Sequence, residues 1–275
     1  MSTVTQVPED ERWLVALDVD GTLLTHRGDV APEVVAEVKA IAARGHEVML
    51  ATGRSLVETI PVLRQLNIWP EYVVCSNGAM LLKRDPLAGN GYVTHRVETF
   101  NPERALRLIK EHLPAGKYAV EDEFGNYYYT EPIPGVDPNL LSHQVKFEDM
   151  LSLNATRVVV VSPDHDTEEF LSVVNRIGLQ RVTYAIGWAA WLDVAPEGVS
   201  KASALEQVRE ALGFPRARIF AAGDGNNDIQ MLTWAGELGR GVAMGNADQD
   251  VKDVASEVCG DVANLGLLDA LKTLP

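Results

Sequence analysis

Two aspartates separated by one residue follow an apolar segment near the start of the chain, in LVALDVDGTLL (14–24). Because side chains alternate along a strand, Asp18 and Asp20 are expected to project in the same direction, beside a turn at Gly21. Two neighbouring carboxylates repel each other unless a cation or a shared proton relieves them. The spacing indicates a cation-binding or acid–base site. The simpler alternative is one acid that caps the turn and one that is solvated.

Polar and glycine-rich turns follow four further apolar segments, each where a strand is expected to end. In chain order they are Thr52–Gly53–Arg54, Ser76–Asn77–Gly78, Gly223–Asp224–Gly225–Asn226–Asn227–Asp228 and Gly245–Asn246. Ligands bind beyond the carboxyl ends of the strands in open parallel sheets, so we expect these turns to converge. Helix capping alone would account for single polar residues at such positions.

Helix caps do not explain the number of acids expected at this edge of an already acidic chain. The four acids are Asp18, Asp20, Asp224 and Asp228. Carboxylate oxygens suit a hard cation such as Mg²⁺, which takes a few protein ligands together with water and substrate phosphate. The six histidines are scattered, and none is paired with a cysteine at the spacing of a zinc site. Mg²⁺ is therefore the expected cofactor.

Local positive charge is expected from Lys201, at the start of the predicted helix in SKASALEQV (200–208). A lysine is unfavourable at the N-terminus of a helix, which prefers anions. Lys201 is therefore either a solvated side chain or a fixed cation that holds an anion. Thr52 and the amide of Gly53, at another helix entrance, offer neutral donors to a phosphate. Together these groups indicate a phosphate site beside the metal.

The elements that position these residues alternate between strand and helix. Strands are predicted at 14–18, 47–51, 72–75, 218–222 and 241–244, with helices between them. This rhythm predicts an α/β fold with a doubly wound (Rossmann-like), mostly parallel sheet. Between residues 84 and 195 neighbouring strands predict an inserted α+β cap domain, so the core domain would comprise residues 1–83 and 196–275.

Two features of the predicted cap have ordinary structural explanations. The acidic run Glu121–Asp122–Glu123 is expected to be a solvated turn. The tyrosines at 127–129 could line a substrate pocket, but aromatic residues in a strand more often pack against one face of a sheet.

Length, composition and charge bound the class of protein. The chain has 275 residues, 46% of them hydrophobic and 23% charged, with a formal net charge of −15. Such a charge argues against nucleic acid and against anionic membrane surfaces as partners. Cys75 and Cys259 are too few for a disulfide framework, and MSTVTQVPEDER lacks the pattern of a signal peptide. We expect a cytoplasmic enzyme whose oligomeric state the sequence does not indicate.

The order of the motifs DVDGT, ATGR, a lysine before an SAL helix, and GDGNND is similar to that of the haloacid dehalogenase superfamily of phosphatases. The stretches CSNGA (75–79) and VAMGNA (242–247) resemble the Cof-type branch, which has a large α/β cap. The resemblance covers nearly the whole chain. It implies a phosphatase that acts on a small phosphorylated metabolite, such as a sugar phosphate.

The resemblance also implies a role for individual residues. Asp18 would be the nucleophile that forms an aspartyl-phosphate, and Asp20 would be the general acid and base. Thr52, Gly53 and Lys201 would bind the phosphoryl group. The metal ligands would be Asp18, the main-chain carbonyl of Asp20, Asp224 and Asp228. Residues expected around the substrate or behind the site are Arg54, Asn77, Asn227 and Asn246.

Three points stay open at this stage. Arg54 could contact the substrate, the cap or a neighbouring acid, and Asn227 could orient the acidic turn or touch the substrate. Asn77 and Asn246 are expected at the edge of the pocket. A phosphotransferase or phosphomutase is an alternative to a hydrolase, and a non-catalytic phospho-ligand-binding protein is a further one. The non-catalytic binding protein is disfavoured because both Asp18 and Asp20 are present.

Overall fold

The computed structural model describes residues 6–25, 28–133, 142–163, 166–177, 182–186 and 190–275. In these ranges the strands are β1 (Leu14–Leu17), β2 (Glu47–Leu50), β3 (Tyr72–Cys75), β4 (Met80–Arg84), β5 (Tyr92–Val97), β6 (Lys117–Asp122), β7 (Tyr127–Tyr129), β8 (Ser142–Gln144), β9 (Ala155–Val161), β10 (Val182–Ile186), β11 (Trp191–Pro196), β12 (Ile219–Gly223), β13 (Arg240–Ala243) and β14 (Glu257–Val258). The helices are α1 (Pro32–Ala43), α2 (Leu56–Leu66), α3 (Glu103–His112), α4 (Phe147–Met150), α5 (Thr167–Ile177), α6 (Lys201–Leu212), α7 (Ile229–Gly236), α8 (Gln249–Val254) and α9 (Gly266–Leu271).

A parallel sheet joins the two ends of the chain. Among the described residues its strand order is β14-β13-β12-β1-β2, and every pair in it is parallel. Strand β1 is central, since Leu14 pairs with Glu47 on one side and Ile219 on the other. A parallel bridge from Ala51 to Val74 adds the end of β3 beside β2. The loops after β1, β2, β12 and β13 therefore leave the same edge of the sheet.

Helices cover both faces of this sheet because its strands are apolar on both sides. Val15 and Leu17 pack in one cluster with residues of α1, α2 and α9. Leu14 and Ala16 point the other way and pack with residues of α6, α7 and α8. Alternating side chains that are all buried are typical of a parallel sheet between two helical layers. The prediction of a doubly wound α/β core is confirmed.

The helices that follow two of the candidate site loops begin at side-chain caps. Ser55 caps α2, and its hydroxyl and amide both contact the Glu58 carboxylate, at 2.7 and 3.2 Å. Ser200 caps α6 and accepts a hydrogen bond from the Ser203 amide at 3.2 Å. Such caps satisfy free amides of the first turn and fix where each helix starts. The residues on either side of these caps are thereby held in place.

A second sheet carries the strands of the predicted cap. Its described order is β10-β11-β9-β6-β7-β8, antiparallel except for the parallel pair β7–β8. One face packs on α3 and α5 through residues such as Val120, Val158 and Leu192. Because side chains alternate along a strand, Glu121, Arg157 and Asp193 belong to the opposite face. That face looks toward the core domain.

A three-stranded sheet, in the order β3-β4-β5, lies between the two. Strand β5 pairs antiparallel with β4, with Leu81 opposite Arg96, and not with the strands of the cap sheet. The predicted boundary at residue 84 thus falls between two paired strands, and the domain limits remain a prediction. None of the helices in the described ranges has the length and apolar character needed to cross a membrane.

Candidate active site

Lys201 stands at the centre of the candidate site. Its ammonium nitrogen Nζ lies 2.6 Å from Oδ1 of Asp18 and 2.7 Å from Oδ1 of Asp228. The lysine is only 1% exposed. Burial acts to lower the pKa of Lys201, but the charges of Asp18 and Asp228 outweigh it, so the pKa lies above its usual value. Lys201 is therefore a fixed cation and not a solvated side chain.

Three acids converge on this lysine from two strand ends. One carboxylate oxygen each of Asp18, Asp224 and Asp228 lies within 4.8 Å of the others. Burial and then the negative charge of Asp228 raise the pKa of Asp18 well above its ordinary value. The same two causes raise the pKa of Asp224 to about 7. The cluster carries more negative charge than Lys201 can offset, as expected where a divalent cation binds.

Two glycines allow the acids to come this close. Gly21 has φ +77°, and a Cβ there would lie 2.0 Å from Oδ2 of Asp224. A Cβ at Gly223 would lie 2.4 Å from Cγ of Asp228. The second carboxylate oxygen of Asp228 accepts the amides of Asp224 and Gly225, at 3.1 and 3.0 Å. In the DGT and GDG stretches the carboxylates of Asp224 and Asp228 therefore occupy the space that a side chain at Gly21 or Gly223 would need.

Asp20 is placed apart from this cluster. Its side chain is 61% exposed and forms a two-pronged pair with Arg54, Nε to Oδ2 at 2.8 Å and Nη2 to Oδ1 at 2.6 Å. Arg54 could have contacted the substrate, the cap or a neighbouring acid, and in the structure it contacts the neighbouring acid, Asp20. A carboxylate held in this way has a fixed orientation and open access to water.

Thr52 and Gly53 form the turn after β2. Thr52 is fully buried, and its hydroxyl oxygen accepts the Arg54 amide at 3.1 Å. The carbonyl of Gly53 accepts a hydrogen bond from Nη1 of Arg157, at 2.7 Å. A residue of the cap sheet is therefore bonded directly to the turn that is expected to bind phosphate.

The turn after β3 is held in an uncommon backbone conformation. Ser76 and Asn77 have φ of 49° and 54°, a region that residues other than glycine seldom occupy. The Ser76 hydroxyl lies 2.8 and 3.0 Å from the two carboxylate oxygens of Glu121 in the cap sheet. The Asn77 side-chain oxygen accepts a hydrogen bond from Asn227 at 2.9 Å. Contacts with the cap and with the acidic loop thus stabilise this turn.

Asn246 contacts the acidic loops from behind. Its amide nitrogen donates to the Gly21 carbonyl at 2.9 Å and to Oδ2 of Asp224 at 3.1 Å, while its oxygen accepts the Val262 amide. These bonds hold the Gly21 turn and the Asp224 side chain together. The sequence suggested instead that Asn246 lies at the edge of the pocket.

A cleft that is open to solvent lies between the cap sheet and this site, with about 450 Å³ of space including the solvent at its mouth. Three of the sequence candidates, Asn77, Lys201 and Asn227, line it. The other residues that line it are Arg157, Asp193, Val194, Ala195, Val199, Ser200, Asn226 and Gln230. Arg157 and Asp193 were not expected from the sequence, although a charged residue inside the apolar run ATRVVVV (155–161) was a signal for the first.

The expectation that the acidic run 121–123 is a solvated turn is wrong for its first two residues. Glu121 is fully buried and Asp122 is 6% exposed. Burial raises the pKa of Glu121 to about 7, against the opposing effect of Arg157. Glu121 and Asp122 are the last residues of strand β6, and Glu121 contacts Ser76 of the core domain.

Comparison with known proteins gives this geometry a family. The family model of haloacid dehalogenase-like hydrolases matches residues 15–271. The chain is 25% identical over 278 residues to the 5-amino-6-(5-phospho-D-ribitylamino)uracil phosphatase YitU of Bacillus subtilis (strain 168), which covers 96% of this chain and 98% of that relative. It is 28% identical to the pyridoxal phosphate phosphatase YbhA of Escherichia coli (strain K12), with 90% and 93% covered.

A solved phosphatase of the haloalkanoate superfamily from Bacteroides thetaiotaomicron has the same fold. It superimposes with a TM-score of 0.74 at 26% identity, over 98% of this chain and 97% of that one. The chain therefore belongs to the haloacid dehalogenase-like hydrolases, as the order of its motifs predicts. It is a phosphatase of the Cof-type branch, with an α/β cap.

Proposed function

We propose that this phosphatase hydrolyses a small phosphorylated metabolite in a Mg²⁺-dependent reaction, through a phosphorylated Asp18. The observation that carries the proposal is the position of Asp18 itself. Its carboxylate lies in a buried acidic cluster, 2.6 Å from the ammonium of Lys201, and Lys201 lines the cleft where the cap meets the core. A carboxylate in such a place can be held ionised by cations and still reach a substrate.

The acidic cluster fits a hard divalent cation. Asp18, Asp224 and Asp228 offer three carboxylate oxygens within 4.8 Å of one another. The family resemblance implies that the main-chain carbonyl of Asp20 is a further ligand. When bound, the ion would neutralise charge that develops on the oxygens of the phosphoryl group. It would also relieve the repulsion that raises the pKa values of Asp18 and Asp224.

The chemistry at Asp18 needs one proton to move in each half of the reaction. In the first half a carboxylate oxygen of Asp18 attacks phosphorus, and the bond from phosphorus to the leaving oxygen breaks as Asp20 protonates that oxygen. In the second half water attacks phosphorus and gives a proton to Asp20, and the bond to Asp18 breaks. The exposure of the Asp20 carboxylate, which leaves it accessible to a leaving oxygen and to water, supports this role.

The transferred phosphoryl group needs donors as well as cations. Lys201 supplies a fixed positive charge, and the Thr52 hydroxyl and the Gly53 amide lie on a buried turn beside Arg54. Donors that are already ordered cost little reorganisation when charge builds up on the phosphoryl oxygens. Asn77 and Asn227, bonded to each other at the cleft, keep the two neighbouring loops in register.

The polar residues that line part of the cleft support a leaving group that carries hydroxyls, as in a sugar phosphate. Amide side chains, which donate and accept, lie on the core side of the cleft at Asn77, Asn227 and Gln230. On the cap side the charge of Arg157 is matched by Asp193, so the pair presents polar atoms with little net charge. The named relatives act on other phosphate esters, a pyridoxal phosphate among them.

Phosphate release from a panel of esters tests this function. Sugar phosphates, polyol phosphates, nucleotides and pyridoxal phosphate are compared with Mg²⁺ and after removal of metal by a chelator. We expect the fastest release from a hydroxyl-rich ester, with a loss of at least about 100-fold on chelation and recovery on adding Mg²⁺. Release that is insensitive to chelation would contradict the metal dependence, and no release from any ester would contradict the hydrolase.

A further inference from the structure

Arg157 is a buried cation that reaches from the cap sheet into the core domain. It lies on β9 and is 8% exposed. One terminal nitrogen, Nη1, donates to the Gly53 carbonyl at 2.7 Å and to the Tyr127 hydroxyl at 2.9 Å. Gly53 belongs to the core turn and Tyr127 to the cap, so a single nitrogen joins the two domains.

Asp193 fixes the other side of the guanidinium. Its two carboxylate oxygens accept bonds from Nε and from Nη2, the latter at 2.9 Å, and Trp191 donates to the same carboxylate at 3.1 Å. A fork of this kind sets the plane and direction of an arginine. The direction of Nη1 toward Gly53 is therefore determined by cap residues.

The bond to Gly53 continues through one peptide group to Thr52. The Gly53 carbonyl and the Arg54 amide belong to the same peptide, and that amide donates to the Thr52 hydroxyl oxygen at 3.1 Å. Within the described residues the Thr52 hydroxyl is an acceptor only, so its proton has no acceptor until a ligand reaches this buried side chain. A donor at one end of a peptide strengthens the bond that its other end makes.

We propose that Arg157 is a positioning residue that orients the Thr52 hydroxyl toward the phosphoryl group through the Gly53–Arg54 peptide. The inference rests on the proposed phosphatase function, in which Thr52 binds phosphate. Its consequence is that seating of the cap, which carries Arg157, and affinity for the phosphoryl group are coupled. Arg157 would then affect the binding of the phosphoryl group through Thr52, without contacting the phosphoryl group itself.

A double-mutant cycle on phosphate affinity tests the coupling. Inorganic phosphate is titrated calorimetrically, with Mg²⁺ present, into the wild-type chain, Arg157→Lys, Thr52→Val and the double variant. Lysine keeps the charge but loses the fork, and valine keeps the shape of threonine without its hydroxyl. Arg107→Lys, at an exposed arginine of the cap, is the matched control. Inorganic phosphate has no leaving group, so contacts of Arg157 with the rest of a substrate do not enter.

We expect Thr52→Val to weaken phosphate binding about tenfold, the effect of losing one hydrogen bond to a charged group. Arg157→Lys should weaken it about fivefold in the wild-type background and less than twofold in the Thr52→Val background. Equal losses in both backgrounds would identify Arg157 as a mere strut between domains. Unchanged affinity in Arg157→Lys would confine it to contacts with the leaving group. Both results overturn the proposal.

Two other outcomes of this experiment, a variant that does not fold and a wild-type chain that binds no phosphate, also have a defined interpretation. If Arg157→Lys does not fold, Asp193→Asn replaces it in the same cycle, because it loosens the fork while keeping the arginine. The same dependence on Thr52 is then expected, with a smaller loss. A wild-type chain that binds no phosphate would contradict the proposed function, whereas binding without coupling contradicts only the role of Arg157.

Discussion

Two buried clusters of charge face each other in this molecule, and they differ in how they are built. The first, the acidic cluster of Asp18, Asp224, Asp228 and Lys201, stands on loops at strand ends of the core domain. The second, the cap cluster of Glu121, Tyr127, Arg157 and Asp193, stands within strands of the cap sheet. The first has an excess of negative charge, and the second pairs its arginine with a nearby carboxylate. The acidic cluster can accept a cation, whereas the charge of Arg157 in the cap cluster is already neutralised by Asp193.

The difference indicates a division of labour. An unbalanced buried cluster costs free energy and is retained where its charges take part in binding or chemistry. A balanced cluster can hold two domains together and shape a cleft at a smaller cost. We therefore expect changes in the acidic cluster to alter turnover, and changes in the cap cluster to alter affinity and stability.

Replacing Asp18, the proposed nucleophile, should distinguish the acidic cluster from the cap cluster most sharply. Asp18→Asn keeps the volume of the side chain but removes the attacking oxygen, so turnover of the best ester should fall by at least about 10³-fold. The thermal midpoint should not fall, because an acid whose pKa is raised by burial and by Asp228 has been replaced by a neutral group. Steady-state phosphate release and thermal unfolding measure the two effects. Residual turnover within tenfold of the wild type would refute a covalent role for Asp18.

Removing the cation of the acidic cluster should show how strongly that cluster is unbalanced. Lys201→Met fills the same buried space but leaves Asp18 and Asp228 without their ammonium partner. Breaking a buried ion pair costs about 3–5 kcal/mol, so the thermal midpoint should fall by several degrees or more.

Mg²⁺ should recover more stability in Lys201→Met than in the wild type, since the ion then supplies the missing charge. Thermal unfolding with and without Mg²⁺ measures the difference, and Lys39→Met, at an exposed lysine of α1, controls for the loss of a lysine. An equal Mg²⁺ shift in both chains would mean that the ion does not bind at the acidic cluster.

The acidic cluster was predictable from the sequence because it obeys two general rules. Parallel strands end at one edge, and glycine-rich turns after them carry polar side chains, as in DVDGT and GDGNND. The contact that closes the cluster, Gly21 against Asp224, links residues far apart in the chain and follows from the pairing of β1 with β12. Asp20 belongs to the DVDGT motif, but its orientation toward Arg54 depends on side-chain packing that no motif specifies.

The cap cluster could not be predicted for a physical reason. Arg157 and Asp193 are the single charged residues of strands β9 and β11, and the face that they occupy depends on which domain covers the sheet. The run at 121–123 has the composition of a solvated turn, whereas its first acid is buried and hydrogen-bonded to Ser76 of the core domain. Contacts between domains override local composition in such places.

The smallest effect that we expect concerns the cap cluster and is the pH dependence of stability due to Glu121. Glu121 has a pKa of about 7 in the folded protein because it is buried, against 4.5 as the ordinary value. Between these two pH values the folded chain retains a proton that the unfolded chain has lost, so this residue lowers stability progressively as the pH rises. Above about pH 7 the loss is complete, and it amounts to at most about 3 kcal/mol.

Glu121→Gln removes the titration while keeping an acceptor for the Ser76 hydroxyl. The thermal midpoint of the variant relative to the wild type should therefore rise from pH 5 to pH 7 and stay level above, whereas the exposed Glu111→Gln should show no such trend. Turnover at saturating substrate should change little, because Glu121 contacts Ser76 and lies outside the acidic cluster. A pH-independent difference would mean that Glu121 stays ionised in the folded chain, stabilised by Arg157, and the cap cluster would then be as firmly charged as the acidic one.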